Sequence, residues 1–402
     1  MDTLAWPMEA EETMQVLRSI QFKYFKWDIF HRGDTSIIPD ALVLTDDEHR
    51  YLVDAAESSY AALMEVESQV ASDPDLLDLV GVPQALHDPI LRQPDDHPRV
   101  TRCDFHLTAR GQWMISEFNS DDTAGFAESY GLAQVLGNQW RQRFKGLGFR
   151  GDLRRAICDS FQDYPRIGLL HATAYSEDLQ HVALVERWLQ DEGHDTVIGA
   201  PSNLSMVDDQ PHVLDSPVDA VFRYYPGEWL VNLPNFDAWQ AASPKLASMN
   251  PLSAVASHSK RCYALWQGDA VSLSDEARST LNRFFPPSQL LEDLDRAEIL
   301  NNPNRWVLKG AYGRTGDTVR IGPLMPKEAW TKAVNEAFDQ PQNIVAQKRF
   351  EMMPMWTSRG LSYPTVGVFL VDGKFAGYFS RVDRGPLIGY DSWHVPTLVS
   401  RP

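Results

Sequence analysis

Two segments, Val100-Thr-Arg102-Cys-Asp104-Phe-His106-Leu107 and Trp113-Met-Ile-Ser-Glu117-Phe-Asn119, constrain this chain more than any other stretch. Each alternates polar with apolar residues, the period of a half-buried strand. Between them, Ala109-Arg110-Gly111-Gln112 offers a tight turn in which Gly111 supplies the positive φ. The pattern predicts a β-hairpin. Arg102, Asp104 and His106 share one face of its first strand, and Ile115, Glu117 and Asn119 share one face of its second. With Arg110-Gly111 as a two-residue loop, Asp104 falls opposite Glu117 and Arg102 opposite Asn119. Opposed Cβ atoms lie about 4.5–5.5 Å apart, and like charges so placed destabilise the pair. A divalent cation would remove the conflict. Two carboxylates and an amide oxygen are hard ligands suited to Mg²⁺, which commonly accompanies nucleotide phosphates. A solvated outer face with an unfavourable pair accounts for the same residues.

The 402 residues allow two or three domains and a substantial core. A net charge of −18 argues against a nucleic-acid binder, which would carry a basic stripe, and is compatible with a cationic substrate. Cys103, Cys158 and Cys262 are scattered without paired spacing, which excludes a disulfide framework or zinc site and fits a reducing compartment. The first dozen residues are acidic and lack an apolar leader core, and no apolar run approaches the roughly 18 residues of a membrane span. The expectation is a cytoplasmic enzyme without membrane or nucleic-acid partners.

Along the chain, residues 9–30 read as a helix with Met14, Leu17, Phe22 and Phe25 on one side. Thr45-Asp46-Asp47-Glu48 is a capping box, opening a long helix to about Val70 with Leu52, Ala55, Ala56, Ser59, Ala62 and Leu63 inward. Residues 73–98 are short helices and turns, and Glu128–Phe144 is helical again. Arg166–Leu170, Asp178–Glu192 and His194–Ile198 form strand, helix, strand: a βαβ unit with parallel pairing. His171-Ala-Thr-Ala-Tyr175 lacks the dinucleotide glycines, so this unit is scaffold or substrate domain. Asp219–Trp229 is a strand running into an aromatic turn. Thr365–Leu370, Asp372-Gly373 and Lys374–Arg381 make a second hairpin with a type I′ turn signal, in which Arg381 shares a face with Phe375, Gly377 and Phe379. Arg381 there is either an edge residue or a phosphate contact.

Arg305-Trp306-Val-Leu-Lys309-Gly310 is a strand ending in lysine, followed by Gly313-Arg314-Thr315-Gly316 and another strand. The lysine precedes the glycines, so this is not a Walker loop. A lysine at a strand end still places a charge on phosphates, and glycines let backbone N–H groups approach them.

Together these segments resemble the glutathionylspermidine synthase family of ATP-grasp ligases, in order, from about residue 20 onward. The hairpin pattern Arg-x-Asp followed by Glu-Phe-Asn-x-Asp carries the resemblance best. It implies Asp104, Glu117 and Asn119 as Mg²⁺ ligands and Arg102 as an aid to phosphoryl transfer, with Asp121 and Thr123 beside the substrate. Asn250-Pro251 and Ser257-His-Ser-Lys260 resemble the family's Ser-Asn-Lys helix start, implying that Lys260 opens a helix and joins Lys309, Gly313 and Gly316 on the nucleotide. Asn343–Phe350 resembles the adenine-pocket strand, with Gln347 and Lys348. Ala376–Arg381 resembles the Gly-x-x-x-Arg strand, which favours a phosphate role for Arg381. Tyr225-Pro226-Gly-Glu228-Trp229 resembles Tyr-Pro-x-Glu-Trp, implying Glu228 near the substrate. The chain departs from the family at Asp121-Asp122-Thr123 and at Gly313-Arg314-Thr315-Gly316, where a glutamate is missing.

The resemblance implies a mixed α/β, permuted ATP-grasp fold with a preATP-grasp-like βαβ unit. Residues 1–160 would hold the N-terminal helices and metal hairpin, 161–250 the βαβ substrate domain, and 251–402 the lid and nucleotide core. The implied activity is ATP- and Mg²⁺-dependent joining of a small-molecule carboxylate to an amine through an acyl phosphate, with ADP released. An ATP-binding protein without ligase activity and a small-molecule kinase are the alternatives. The substrates and the oligomeric state are left open.

Overall fold

The computed structural model describes every residue except Pro7, Asp95, Asp96, Phe144, Thr315 and Pro402, and gives residues 138–143 as backbone. Strands β1 (Val100–Leu107) and β2 (Trp113–Asn119) form the expected hairpin. Their inner residues Cys103, Phe105, Ile115 and Phe118 are fully buried against helix α1 (Asp46–Ala71). Burying each large side chain stabilises by roughly 1.5–3 kcal/mol. The capping box at α1 is present: Thr45 Oγ1 accepts from Glu48 N (3.1 Å) and Glu48 Oε2 accepts from Thr45 N (2.9 Å).

The βαβ unit is also present, in a parallel sheet. It contains β3 (Arg166–His171), helix α2 (Ser176–Asp191), β4 (Asp195–Gly199), β5 (Ala220–Tyr224) and β6 (Ala247–Met249), in the order β6-β5-β3-β4. Helix α3 (Asp275–Phe284) packs on α1. A third, antiparallel sheet runs β7 (Ser288–Leu290), β10 (Ile344–Lys348), β8 (Trp306–Gly310), β9 (Arg320–Ile321), backed by helix α4 (Lys327–Asp339) through Trp306, Leu308, Trp330 and Val334.

The β1–β2 hairpin does not stand alone. β11 (Gly360–Val371) pairs with β1, β12 (Lys374–Asp383) with β11 and β13 (Trp393–Val395) with β12. Residues near 100 and near 380 thus share one sheet, which crosses the boundaries of the expected units. Val366, Val368 and Leu370 join the core on the α1 side, and Phe369 and Phe379 join the core on the βαβ side. The second hairpin has the expected type I′ turn, with φ of 49° at Asp372 and 75° at Gly373.

Four local expectations change. The first helix is Ala10–Lys23, with Val16, Leu17 and Ile20 buried, whereas Phe22 is 70% exposed and Phe25 has left the helix with φ 58°. The helix near Glu128 begins as a π-turn, Ala127–Gly131, before Leu132–Arg143, and Phe144 lies outside the described residues. Lys260 does not start an α-helix: Ala254–His258 ends before it, and Lys260 opens a 3₁₀ turn. A bulge between Phe369 and Leu370 turns Phe375 toward Tyr378 and the α1 core, away from the face of Phe379 and Arg381.

Thr45→Ala should remove the cap of α1 and lower stability by about 1 kcal/mol. Denaturant unfolding measures this directly, with an unchanged m-value expected.

Candidate active site

The hairpin reaches its register by a different route from the expected one. The loop has three residues: Thr108 N donates to Gln112 O (2.8 Å), Gly111 N to Thr108 O (2.9 Å), and Gly111 has φ 75°. Beyond it Leu107 pairs with Trp113 and Phe105 with Ile115. A bulge then inserts Ser116, so that Asp104 faces Glu117 and Arg102 faces Asn119 as expected. The bulge also corrects the face assignment. Ile115 lies in the core with Phe118, while Ser116 and Glu117 both line the cavity.

The facing carboxylates are not left to repel each other. Arg102 grips Asp104 with two bonds, Nε–Oδ1 2.6 Å and Nη2–Oδ2 2.9 Å, donates to Ala124 O (2.6 Å) and stacks on Phe379 (4.5 Å). Arg381 Nη2 reaches Asp104 Oδ2 at 3.3 Å and Asn119 Nδ2 reaches it at 3.4 Å. Lys260 Nζ pairs with Glu117 Oε1 (2.8 Å). The conflict assigned to a cation in the sequence is thus relieved by protein charges. Burial disfavours the Glu117 anion, yet Lys260, followed by Lys309, holds its carboxyl down at about 2.

The site still fits Mg²⁺. Glu117 is ionised and Asn119 offers an amide oxygen on the same face as Asp104. Among the described residues no three His, Cys, Asp or Glu side chains cluster as a metal cage. Mg²⁺ tolerates this, because it keeps waters and phosphate oxygens alongside one or two carboxylates.

Lys260, Lys309, Gly313, Gly316, Gln347 and Lys348 all line one cavity, with Asp104, Glu117 and Arg381 at its edge. Lys309 Nζ donates to the bulge carbonyl of Ser116 (2.8 Å), and Lys260 Nζ to Gly313 O (2.8 Å). A Cβ at Gly313 would collide with Thr318 Oγ1, so only glycine lets the loop fold this tightly. Gln347 is buried on Ser288 Oγ (3.1 Å), and Lys348 Nζ lies 3.2 Å from the Trp306 ring centre. Val307, Ile321 and Phe350 supply an apolar wall suited to a heteroaromatic ring.

A second cavity opens across the hairpin, and Glu117, Gly316, Arg381 and Ile388 line both. Arg102 and Asn119 face it. The expected substrate residues do not line either cavity; they brace the wall. Asp121 forms a fully buried ion pair with Arg223 and accepts from Gly227 N (2.7 Å). Thr123 Oγ1 donates to Val100 O (3.3 Å) and Asn119 O (3.2 Å). Glu228 receives Arg314 Nη2 (2.8 Å).

The residues that do face this cavity include Asp122, Asp178, Trp229 and Arg314, none of which the sequence reading assigned to the site. Arg314 ties the glycine loop to Asp122 (3.2 Å) and Glu228 and stacks on Trp229 (4.8 Å). Asp178 reads from sequence as an ordinary acidic first turn of a helix. Burial, then Asp122 and Glu177, pushes Asp178 up to about 7; burial, with Asp121 and Asp122 adding and Arg314 opposing, pushes Glu228 up to about 7.

The family model described as "Glutathionylspermidine synthase preATP-grasp" matches residues 8–400. No curated protein matches by sequence. Among solved structures, a glutathione synthetase-like effector from Globodera pallida in apo form is similar at TM-score 0.66 and 11% identity, over 97% of this chain and 98% of that one. A candidate gamma-glutamylcysteine synthetase from Methylobacillus flagellatus KT aligns at TM-score 0.45 and 11% identity, over 81% and 84%. The first of these likenesses supports the mixed α/β fold expected from the sequence.

Two measurements test this geometry. Asp121→Asn leaves Arg223 as a buried charge without its counterion and should cost about 3–5 kcal/mol in denaturant unfolding; a loss under about 1 kcal/mol would remove Asp121 as a brace. Burial, with Lys260 repelling and Glu117 opposing, lowers the Lys309 ammonium to about 8. Its charge is present below that pH and lost above it. Nucleotide affinity should therefore fall as pH rises through about 8, and Lys309→Ala should abolish that slope in calorimetric titrations.

Proposed function

Because the chain belongs to the glutathionylspermidine synthase preATP-grasp family, we propose that it is an ATP- and Mg²⁺-dependent ligase. It would join a small-molecule carboxylate to an amine through an acyl phosphate and release ADP. The observation that carries this reading is the pair of cavities meeting at Glu117 and Arg381. One suits a nucleotide, with two lysines and a glycine loop for phosphates. The other is open, polar and suited to the acceptor.

Bound Mg²⁺, held by Asp104, Glu117 and Asn119, would supply charge neutralisation between phosphate oxygens. Lys260 and Lys309 hold the phosphates from the cavity floor. Arg102 and Arg381 face the second cavity and neutralise the phosphoryl group as it moves to the carboxylate, the role cationic clamps play in phosphoryl transfer generally. Positioning supplies most of the remainder, since three phosphates and a carboxylate repel one another in free solution. The two concave cavities and the net charge of −18 support small-molecule partners and not nucleic acid. Among the described residues no helix is long and apolar enough to cross a membrane. We place the enzyme in the cytoplasm.

The test pairs carboxylates, including glutathione and short glutamyl peptides, with amines in the presence of ATP and Mg²⁺. Expected are ADP formation that requires both partners, and a product whose mass equals their sum less water. ADP release with the carboxylate alone, without hydroxylamine-trappable acyl phosphate, would favour a kinase. AMP as product would overturn the acyl-phosphate route. Glu117→Gln should lower turnover at least about a hundred-fold, since a metal ligand contributes several kcal/mol; Lys260 loses its counterion, so the thermal transition should move down yet stay cooperative.

A further inference from the structure

His106 lines the first cavity, yet the proposed chemistry gives it no part. It is 5% exposed on β1, and both of its ring nitrogens are engaged within the protein. Nε2 lies 2.7 Å from Ser116 Oγ, and Nδ1 lies 3.2 Å from Thr365 Oγ1 on β11. The ring leans on Phe350, with centroids 5.7 Å apart. A hydroxyl gives or takes a proton, so both contacts form in either tautomer. With neither nitrogen left over, His106 is not a contact for a ligand or a metal. Its effect passes to the residues it holds.

The first of these is the bulged residue. Phe105 pairs with Ile115 and Asp104 with Glu117, so Ser116 has no partner across the ladder. The ladder does not fix such an extra residue, and its own contacts decide where it points. The Ser116 hydroxyl meets His106 at 2.7 Å and Asp104 O only at 3.5 Å. His106 is thus the short contact that ties the bulge to β1. Thr365, 2% exposed, holds the ring from the opposite side.

The bulge in turn holds a cation. The carbonyl of Ser116 accepts from Lys309 Nζ (2.8 Å), and Lys309 comes from β8, in a different sheet. An ammonium has three donors, and a fixed carbonyl on one of them sets the direction of the other two. A lysine on its flexible stem otherwise loses rotamer freedom when a ligand binds. Thr365, His106, Ser116 and Lys309 therefore form a continuous line of contacts from β11 through the hairpin to β8. All four residues line the first cavity.

We propose that His106 is a positioning residue for Lys309: it pins the bulge at Ser116, and the bulge carbonyl sets the ammonium in the first cavity. The consequence for nucleotide binding rests on the ligase reading, whereas the link from His106 to Lys309 does not. A histidine that only completed the core would change stability and leave Lys309 where it is.

Competitive acylation of the ligand-free full chain with acetic anhydride, read by peptide mass mapping, tests the link without nucleotide. His106→Phe keeps a ring beside Phe350 and loses both contacts. Ser116→Ala keeps the carbonyl and loses the hydroxyl. In both variants Lys309 should be acylated at least about three-fold faster than in the wild type, and Lys26 should stay within about two-fold, since one neutral hydrogen bond is worth about three- to ten-fold. Lys26 serves as the control because it is 2% exposed and lines the second cavity. Where His106→Phe does not fold, Ser116→Ala decides. Unchanged acylation of Lys309 in the folded variants, or an equal rise at Lys26, overturns the proposal. Calorimetric titration with ATP and Mg²⁺ gives the second readout. Each substitution should weaken ATP about three- to ten-fold, and by less than about two-fold in a Lys309→Ala background. Unaltered affinity, or a loss of equal size in both backgrounds, overturns the route through Lys309. Both effects without amide product from any carboxylate and amine would keep the positioning role and refute the ligase. Amide product with Lys309 acylation unchanged in the variants would do the reverse. If the wild type binds no nucleotide, the ligase reading falls and acylation alone decides the role of His106.

Discussion

Asp104 and Glu117 sit on adjacent strands with their carboxylates on one face, and the architecture answers that repulsion. The neutralising cations come from separate parts of the chain: Arg102 on the same strand, Lys260 on a 3₁₀ turn and Arg381 on β12. Each is brought there by a different piece of the fold. A pair of like charges that would destabilise an isolated hairpin thus becomes the point at which β1, β12 and the 3₁₀ turn at Lys260 meet. Buried charges that are paired and hydrogen-bonded avoid the penalty of isolated ones.

The pairing also prepares the site for anions. Arg102 is buried and braced on Asp104, Ala124 O and Phe379, so the orientation of its guanidinium is fixed. Lys260 and Lys309 are held against carbonyls of the glycine loop and of the hairpin bulge, which sets their separation before a ligand arrives. Such preorganisation lowers the reorganisation needed as charge develops. Burial, more than the neighbouring Lys260, lowers the Lys309 ammonium.

Much of this was legible in the sequence because it depends on local rules. The capping box, the type I′ turn at Asp372-Gly373 and the βαβ periodicity each follow from a few adjacent residues, and each is present. The residues that the resemblance assigns to a nucleotide are gathered in one cavity. The hairpin register was reached through two departures that cancel: a loop one residue longer than expected, and a bulge at Ser116. Bulges have no reliable local signal, because alternation of polarity looks the same until one residue slips. That is why Ile115 and Phe375 were placed on the wrong faces. The choice between Asp121 and Asp122 was equally invisible. Both are acidic and adjacent, and only the distant Arg223 decides that Asp121 turns inward while Asp122 faces the cavity.

The acids and histidines of the second cavity were the least legible, for a physical reason. Glu128, Asp178, His181 and His394 lie in three segments, the π-turn, α2 and β13, that are distant in sequence and line one cavity in the folded chain. In sequence each has an ordinary explanation: a helix-start acid, a helix-face histidine, an edge strand. Their perturbed ionisation arises from burial against one another, a property of the assembled fold. The first cavity differs because Lys309, Gly310, Gly313 and Gly316 are close in the chain, so that pattern is written locally. A wall that recognises a second substrate has no such requirement. It can draw single residues from distant segments and change them one at a time, which is how a shared ligase core can serve different acceptors.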